Sequence, residues 1–541
     1  MRENQIVSTK YGKLQGVVEE GVLVFKGIPY AAPPVGELRW KPPVDPAPWE
    51  GVRLCDKYGP RPVQVNNGGL SFEPWASDFY YMGNPPYSED CLYLNVATDA
   101  QSTDEKRPVF MWFHGGGLSN GYSYEVEFNP TTLAKKGIVV VSVGQRLNVF
   151  GYLALPQLSA EQDGISGNYG LMDEVKALDW VRENIAAFGG DPDNITIGGQ
   201  SGGTAKTGAL ARCPKAAGKI KRVINQSSLN WTGSFATVAD GEREGLAYIQ
   251  ALGFKPDATL EELRAADAEV FNVNLGNPFD PNTVRTPGSM VYDGVWVPEQ
   301  DNAVSFDEYA GDLDYLVGGN YGECAMAKGF RLGGEPIKSA ADFYAAAKEV
   351  LGEELYNKYD FQNAYPVSDE QASFLSRRLA VEGLTGFGGN MKNLYFGQYR
   401  AKKYPKAKTY SYVFSHVTPG RPDDEMIPLR KHDTMLAWHS SELWYMFDSL
   451  RMGKNGASNV PPVRPWTDYD VELADKMSSY WANFMKTGDP NGPGLPNWPA
   501  SDENYGWIDL GDEIVGHQGM EDSKDQMLFE YLMAQEETPK E

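Results

Sequence analysis

Cysteine is scarce: four in 541 residues (Cys55, Cys91, Cys213 and Cys324), with no CxxC pair among them. That excludes a disulfide framework and argues against a structural zinc site, so no metal is expected. No apolar run approaches the roughly 20 residues that cross a bilayer. Basic residues are outnumbered, Lys+Arg 49 against Asp+Glu 73 for a net charge of −24. This excess speaks against nucleic acid and anionic membranes as partners and reads as a solvated acidic surface. Internal repeats and low-complexity linkers are absent too, which favours one domain with large insertions. The opening stretch MRENQIVSTKYGKLQG lacks the apolar segment of a secretion signal, which makes the cytoplasm the expected compartment.

What is present is material for a large core, 41% hydrophobic and 12% aromatic residues. Short strands are predicted in residues 6–31. A Pro-, Gly- and aromatic-rich connection follows, and its Phe72, Trp75, Phe79, Tyr80 and Tyr81 are candidates to line a ligand gorge. Strands are then expected at 92–96, 109–113, 138–143, 195–197, 223–227, 315–318 and 409–415. The run Ile138–Val143 is almost continuously apolar, as suits a strand buried on both faces. Helical spacing marks 171–187, with Leu171, Val175, Leu178, Val181 and Ile185 on one face. It marks 468–487 as well, with Val471, Leu473, Met477, Tyr480, Trp481 and Phe484, and further helices are predicted near 241–252, 259–268 and 340–359. Strands interleaved with helices predict an α/β fold, a mostly parallel sheet covered on both faces, in one domain (1–541) with long insertions.

The chain is organised around Phe188–Gly203, FGGDPDNITIGGQSGG. A β-branched strand runs into Gly199-Gln200-Ser201-Gly202-Gly203 and then into a helix. Glycines flanking a serine allow the sharp strand-to-helix turn that presents a nucleophile at a helix N-terminus. A serine hydroxyl needs a base, the base needs an orienting acid, and the developing oxyanion needs N–H donors. Just after a predicted strand, His114-Gly115-Gly116-Gly117 supplies a loop whose backbone can approach a substrate closely, and Gly202 offers another N–H. With five histidines in the chain, base candidates are few. His439 enters an aromatic stretch, His416 follows a strand and is the runner-up, and His432 sits in a charge cluster. Many carboxylates could serve as the acid, among them Glu323 at a predicted strand end.

These motifs together resemble the type-B carboxylesterases, the cholinesterase-like branch of the α/β-hydrolases. Phe188–Gly203 fits that family's serine signature at every position, and Ser88–Val96 (SEDCLYLNV) is similar to its second signature. Lys26–Ala31, Pro34–Gly36 with Arg39, Gly167–Leu171 with Asp173, and Asn483–Pro490 extend the likeness over nearly the whole chain. The resemblance implies an α/β-hydrolase fold and hydrolysis of carboxylic esters through an acyl-enzyme, with no cofactor. It implies Ser201 as nucleophile, Glu323 (in a segment like G-x-N-x-x-E) as acid, and His439 (in H-x-x-E-L, with Glu442) as base. The implied oxyanion donors are Gly116, Gly117 and Gly202; Ser227 would help hold the acid and Trp231 line the acyl pocket. Gln200 stands beside the substrate where the family usually has glutamate, so choline esters are not the expected substrate. The family's early cysteine pair is not clearly reproduced, and pairing of Cys55 with Cys91 stays open. Aromatic esters such as feruloyl esters are the alternative substrate class. A cholinesterase-like adhesion module is the alternative without activity, and an intact Ser/Glu/His set argues against it.

Overall fold

A computed structural model describes residues 5–65, 85–229, 235–273, 275, 283–298, 302–323, 337–380, 390–420, 435–450, 464–520 and 523–537. Its centre is an 11-stranded sheet. In chain order the strands are β1 (Val17–Glu19), β2 (Val22–Pro29), β3 (Tyr93–Thr98), β4 (Arg107–Phe113), β5 (Val139–Val143), β6 (Gly190–Gln200), β7 (Arg222–Gln226), β8 (Asp314–Asn320), β9 (Thr409–Phe414), β10 (Gly506–Leu510) and β11 (Ile514–Gln518). Across the sheet they run β11-β10-β9-β8-β7-β6-β4-β5-β3-β2-β1. Strands β5, β4, β6, β7, β8, β9 and β10 are mutually parallel. Both edges are antiparallel, β11 on one side and β3, β2 and β1 on the other. The sheet is thus mostly parallel, as predicted, with antiparallel strands at both edges.

Why these segments make strands is visible in β4, which alternates between two cores. Val109, Met111 and Phe113 enter one apolar cluster, while Phe110 and Trp112 enter the other. The first cluster is covered by helices α1 (Tyr169–Asn184) and α2 (Gly202–Arg212). On α1 the predicted stripe Leu171, Val175, Leu178 and Val181 faces the sheet. Gly189, at a left-handed φ of 79°, stops the 3-10 turn that follows it. The second cluster is covered by helix α3 (Asp468–Thr487), through Leu473, Met477, Tyr480, Trp481 and Phe484. Val471, predicted to share that stripe, points to solvent at 56% exposure. No helix among the described residues is long and apolar enough to cross a membrane.

Two of the sequence motifs prove to be staples of this frame. Arg39 makes a two-pronged ion pair with Glu89 at 2.6 and 2.7 Å. Arg146, buried after β5, does the same to Asp173 on α1 at 2.7 and 2.8 Å. Planar guanidinium and carboxylate forks match in this geometry, which fixes orientation as well as distance.

The parallel order contains one reversal. From β4 the chain moves outward to β5, then crosses back to lay β6 on the other side of β4. Loops leaving the carboxyl ends of β4 and β6 therefore diverge and leave a crevice between them. His114–Gly117 and Ser201 follow those two strand ends.

Candidate active site

Ser201 occupies the junction of β6 and α2 with φ 56° and ψ −122°. A side chain rarely adopts that backbone region, and the cost of about 1–3 kcal/mol is met by surrounding structure. Ser201 N–H donates to Gln226 O at 2.9 Å, and Thr204 N–H donates back to Ser201 O at 2.9 Å. The glycines beside it are needed for approach. A Cβ on Gly202 would stand 2.1 Å from Gly117 O, and one on Gly203 would stand 2.2 Å from Phe113 O. The serine turn and the glycine loop are thus in backbone contact.

Gly116 and Gly117 take left-handed φ of 85° and 64°. Ser119 and Asn120 N–H groups donate to Gly116 O at 3.3 and 3.0 Å. In a trans peptide the Gly117 N–H points opposite to that carbonyl, out of the loop. Among the described residues no backbone carbonyl accepts from the N–H of Gly116 or Gly117.

The acid and base predicted at 323 and 439 meet. His439 Nδ1 donates to Glu323 Oε2 at 2.5 Å, and the Asn320 N–H donates to Glu323 Oε1 at 2.7 Å. The backbones pair as well, His439 N–H donating to Glu323 O at 3.0 Å. With Nδ1–H committed, Nε2 of the neutral ring is an acceptor. That atom lies 3.3 Å from the amide nitrogen of Gln200, the residue before Ser201. His439 and Glu323 are 4% and 1% exposed, so their hydrogen bond is largely shielded from water.

Glu442, three residues past the histidine, is fully buried behind this pair. Asn320 Nδ2 donates to its Oε2 at 2.6 Å and Gln226 Nε2 to its Oε1 at 3.2 Å. Burial and the neighbouring Glu323 charge outweigh the Asn320 hydrogen bond and push its carboxyl up to about 7. Two carboxylates this close resist ionising together. Ser227, expected to help hold Glu323, does not: its Oγ has no hydrogen-bond partner among the described residues, and the Asn320 N–H takes that role. Asn320 is the asparagine of the G-x-N-x-x-E segment, and the sequence carries no sign that its backbone and amide serve two different carboxylates. Trp231, His432, Cys324 and the aromatics at 72–81 lie outside the described residues. Cys55, Cys91 and Cys213 are free, buried thiols, so Cys55 and Cys91 do not pair.

His416, the runner-up base, is engaged elsewhere. Its Nε2 lies 2.9 Å from Asp470 Oδ1 and its Nδ1 2.7 Å from Asp512 Oδ1. Burial alone would lower its pKa, but the two aspartates outweigh burial and raise it above 6.5. Burial likewise pushes Asp470 up, yet hydrogen bonds from His416, Thr467 and Tyr445 win and bring it from 3.8 down to about 2. A raised histidine stabilises fully below its unfolded pKa and loses that as pH rises through the folded value. A depressed aspartate stabilises fully above its unfolded pKa and loses that as pH falls through the folded one. The pair therefore contributes most between about pH 4 and 6.5. Melting temperatures of wild type and His416→Gln are expected to differ most near pH 5–6, the gap closing as pH rises through the raised histidine pKa and as it falls through about 2. A gap independent of pH would contradict this.

Over residues 3–528 the sequence matches the carboxylesterase family. The chain belongs to that family. It is 31% identical to para-nitrobenzyl esterase of Bacillus subtilis, over 97% of this chain and 99% of that protein. It is 30% identical to fumonisin B1 esterase of Sphingopyxis macrogoltabida, over 95% of this chain and 87% of that one. Among solved structures, a PNB esterase superposes with a TM-score of 0.69 at 30% identity, covering 97% of this chain and all of the other. A Geobacillus stearothermophilus carboxylesterase superposes at 0.71 with 29% identity, covering 97% of this chain and 99% of the other. The carboxylesterase thus has the α/β-hydrolase fold and hydrolyses carboxylic esters as a serine enzyme.

Proposed function

We propose that Ser201, His439 and Glu323 carry the esterase reaction. His439 Nε2 takes the Ser201 proton as Oγ attacks the ester carbonyl, and Glu323 holds the imidazole in the tautomer able to accept it. The N–H groups of Gly116, Gly117 and Gly202 receive the negative oxygen of the tetrahedral intermediate. His439 then returns the proton to the departing alcohol, leaving an acyl group on Ser201. Water activated by the same imidazole releases the acid. We treat residues 1–541 as one domain because the proposed site draws on residues from Gly116 to His439 carried by one central sheet.

The observation that carries this reading is the 2.5 Å hydrogen bond between His439 Nδ1 and Glu323 Oε2, formed beside the residue preceding a strained serine. The substrate class we propose is neutral esters. Gln200 brings an uncharged amide where a carboxylate would favour a cationic alcohol such as choline. We assign the enzyme to the cytoplasm, with which three buried free thiols accord.

A fluorophosphonate tests the site assignment. One equivalent is expected to label Ser201, located by mass spectrometry, with loss of turnover in proportion. Label on another residue, or turnover surviving complete labelling, contradicts it. A panel of alkyl, cinnamoyl and choline esters tests the substrate class, with kcat/KM expected lowest for choline esters.

A further inference from the structure

Lys206 is a lysine with no exposed surface, on α2 five residues after Ser201. Its Nζ donates to His114 O at 2.8 Å. The Gln145 amide is best satisfied when its nitrogen donates to Val143 O at 3.0 Å. Its oxygen then accepts from Lys206 Nζ at 2.7 Å and lies 3.2 Å from His114 Nε2. His114, also fully buried, has Nδ1 2.8 Å from Gly115 O and 3.5 Å from Lys206 Nζ. Burial and the Lys206 charge both keep that imidazole neutral, its pKa well below 6.5. Lysine, histidine and glutamine thus form one closed network beneath the glycine loop, joining α2 to the ends of β4 and β5.

A network there answers a physical need. Gly115, Gly116 and Gly117 in succession are the most freely rotating backbone a chain can have, so ordering them is entropically costly. Oxyanion donors lose most of their value when they stray by a fraction of an ångström from the reacting oxygen. The far end of the loop is tied by Ser119 and Asn120 to Gly116 O. The near end is tied at His114 O, by Lys206. Because Lys206 sits on the helix that follows Ser201, its side chain links the nucleophile's helix to the strand end from which the loop departs. Burying an ammonium costs several kcal/mol unless hydrogen bonds and opposite charges compensate. Burial lowers the Lys206 pKa to about 7 against the raising influence of Glu174 and Glu125, both of them buried. A methionine would fill the same space without a buried polar nitrogen, so packing alone does not call for an amine here.

We propose that Lys206 is a positioning residue of the esterase, holding the His114 carbonyl from the nucleophile's own helix so that the Gly116 and Gly117 N–H groups are fixed where the ester oxyanion forms. This rests on the reading of those glycines as donors. Lys206→Met is the test, with kcat, KM and inhibition by a trifluoromethyl ketone, which becomes a tetrahedral oxyanion on Ser201. Expected are a fall in kcat of about 30- to 300-fold, comparable to loss of an oxyanion donor, a KM within twofold, and ketone affinity weakened in proportion to kcat/KM. Gln145→Leu, which removes the second support but keeps the charge, should show the same split at about three- to tenfold, and it carries the test if Lys206→Met fails to fold. Unchanged kcat and ketone affinity in a folded variant would overturn the inference, as would a loss confined to KM. Failure of the ketone to inhibit wild type would overturn the oxyanion reading itself, and the inference with it.

Discussion

Ser201→Ala is expected to lower kcat on a short nitrophenyl ester by about five orders of magnitude or more. The variant keeps His439, Glu323 and the glycine loop, and therefore whatever stabilisation the loop alone provides. No acyl-enzyme can form, so the burst of nitrophenol is lost along with steady turnover. Ser201→Gly separates chemistry from backbone strain. Both variants lack the hydroxyl, but glycine adopts φ 56°, ψ −122° without the collision a Cβ suffers. The glycine variant should be the more stable of the two by about 1 kcal/mol, measured by denaturant unfolding. Retained turnover in either variant would remove Ser201 from the mechanism. Equal stability would mean that the turn is less strained than its dihedral angles say.

Glu323→Gln is the second large effect, and hydrogen-bond counting decides its direction. Both carboxylate oxygens accept: Oε1 from the Asn320 N–H and Oε2 from His439 Nδ1–H. An amide has one acceptor and one donor end, so it can satisfy only one of these as they stand. If its oxygen stays with Asn320, its NH2 faces Nδ1 and imposes the opposite tautomer. Nε2 then carries the hydrogen and cannot accept a proton from Ser201. If its oxygen faces Nδ1, the buried Asn320 N–H confronts another donor, at a cost of about 1–3 kcal/mol. Either way the imidazolium loses its counter-charge. A kcat reduction of about 10³–10⁴ is expected with KM little changed, in line with the analogous change in a Ser-His-Asp hydrolase. A rate within a few-fold of wild type would show that another group orients the base.

Much of this site is legible in the sequence. Local rules fix the elbow and the glycine loop: strand, glycine, serine and helix follow one another within a dozen residues, and no distant partner is needed to see why. The partnership of 323 with 439 is not local. From the residues alone Glu323 was one of many carboxylates, and family likeness selected it. Its support depends on Asn320, whose backbone and side-chain amides point to different acids. Lys206 is not legible in the sequence, because a lone lysine in a helix is ordinarily a surface residue and only the fold turns it inward.

Predicted strands coincide with observed ones where apolar runs are continuous. Strands β10 and β11, GWIDL and IVGHQ, are not legible in this way, because glycines and polar residues interrupt their apolar runs. The helix Asn390–Lys403 was missed because Gly397 interrupts its propensity. A Cβ there would stand 2.5 Å from the Ser501 Cβ, so tertiary packing outweighs the helical cost of glycine. Residues 340–359, expected as one helix, divide at Gly352, where φ 82° and ψ 152° cannot continue a helix.

The parallel middle of the sheet also governs how the enzyme comes into being. His114, Ser201, Glu323 and His439 follow different strands or loops, and none of these neighbours in space is a neighbour along the polymer. On the proposed site, His439 completes the triad only where β4, β6 and β8 are in register, so a half-collapsed chain is expected to lack it. Secondary structure will regenerate during refolding ahead of competence toward a fluorophosphonate, by an interval reflecting these long loop closures. Titration with that reagent therefore counts finished molecules alone, and a partly assembled enzyme is chemically silent toward the esters around it.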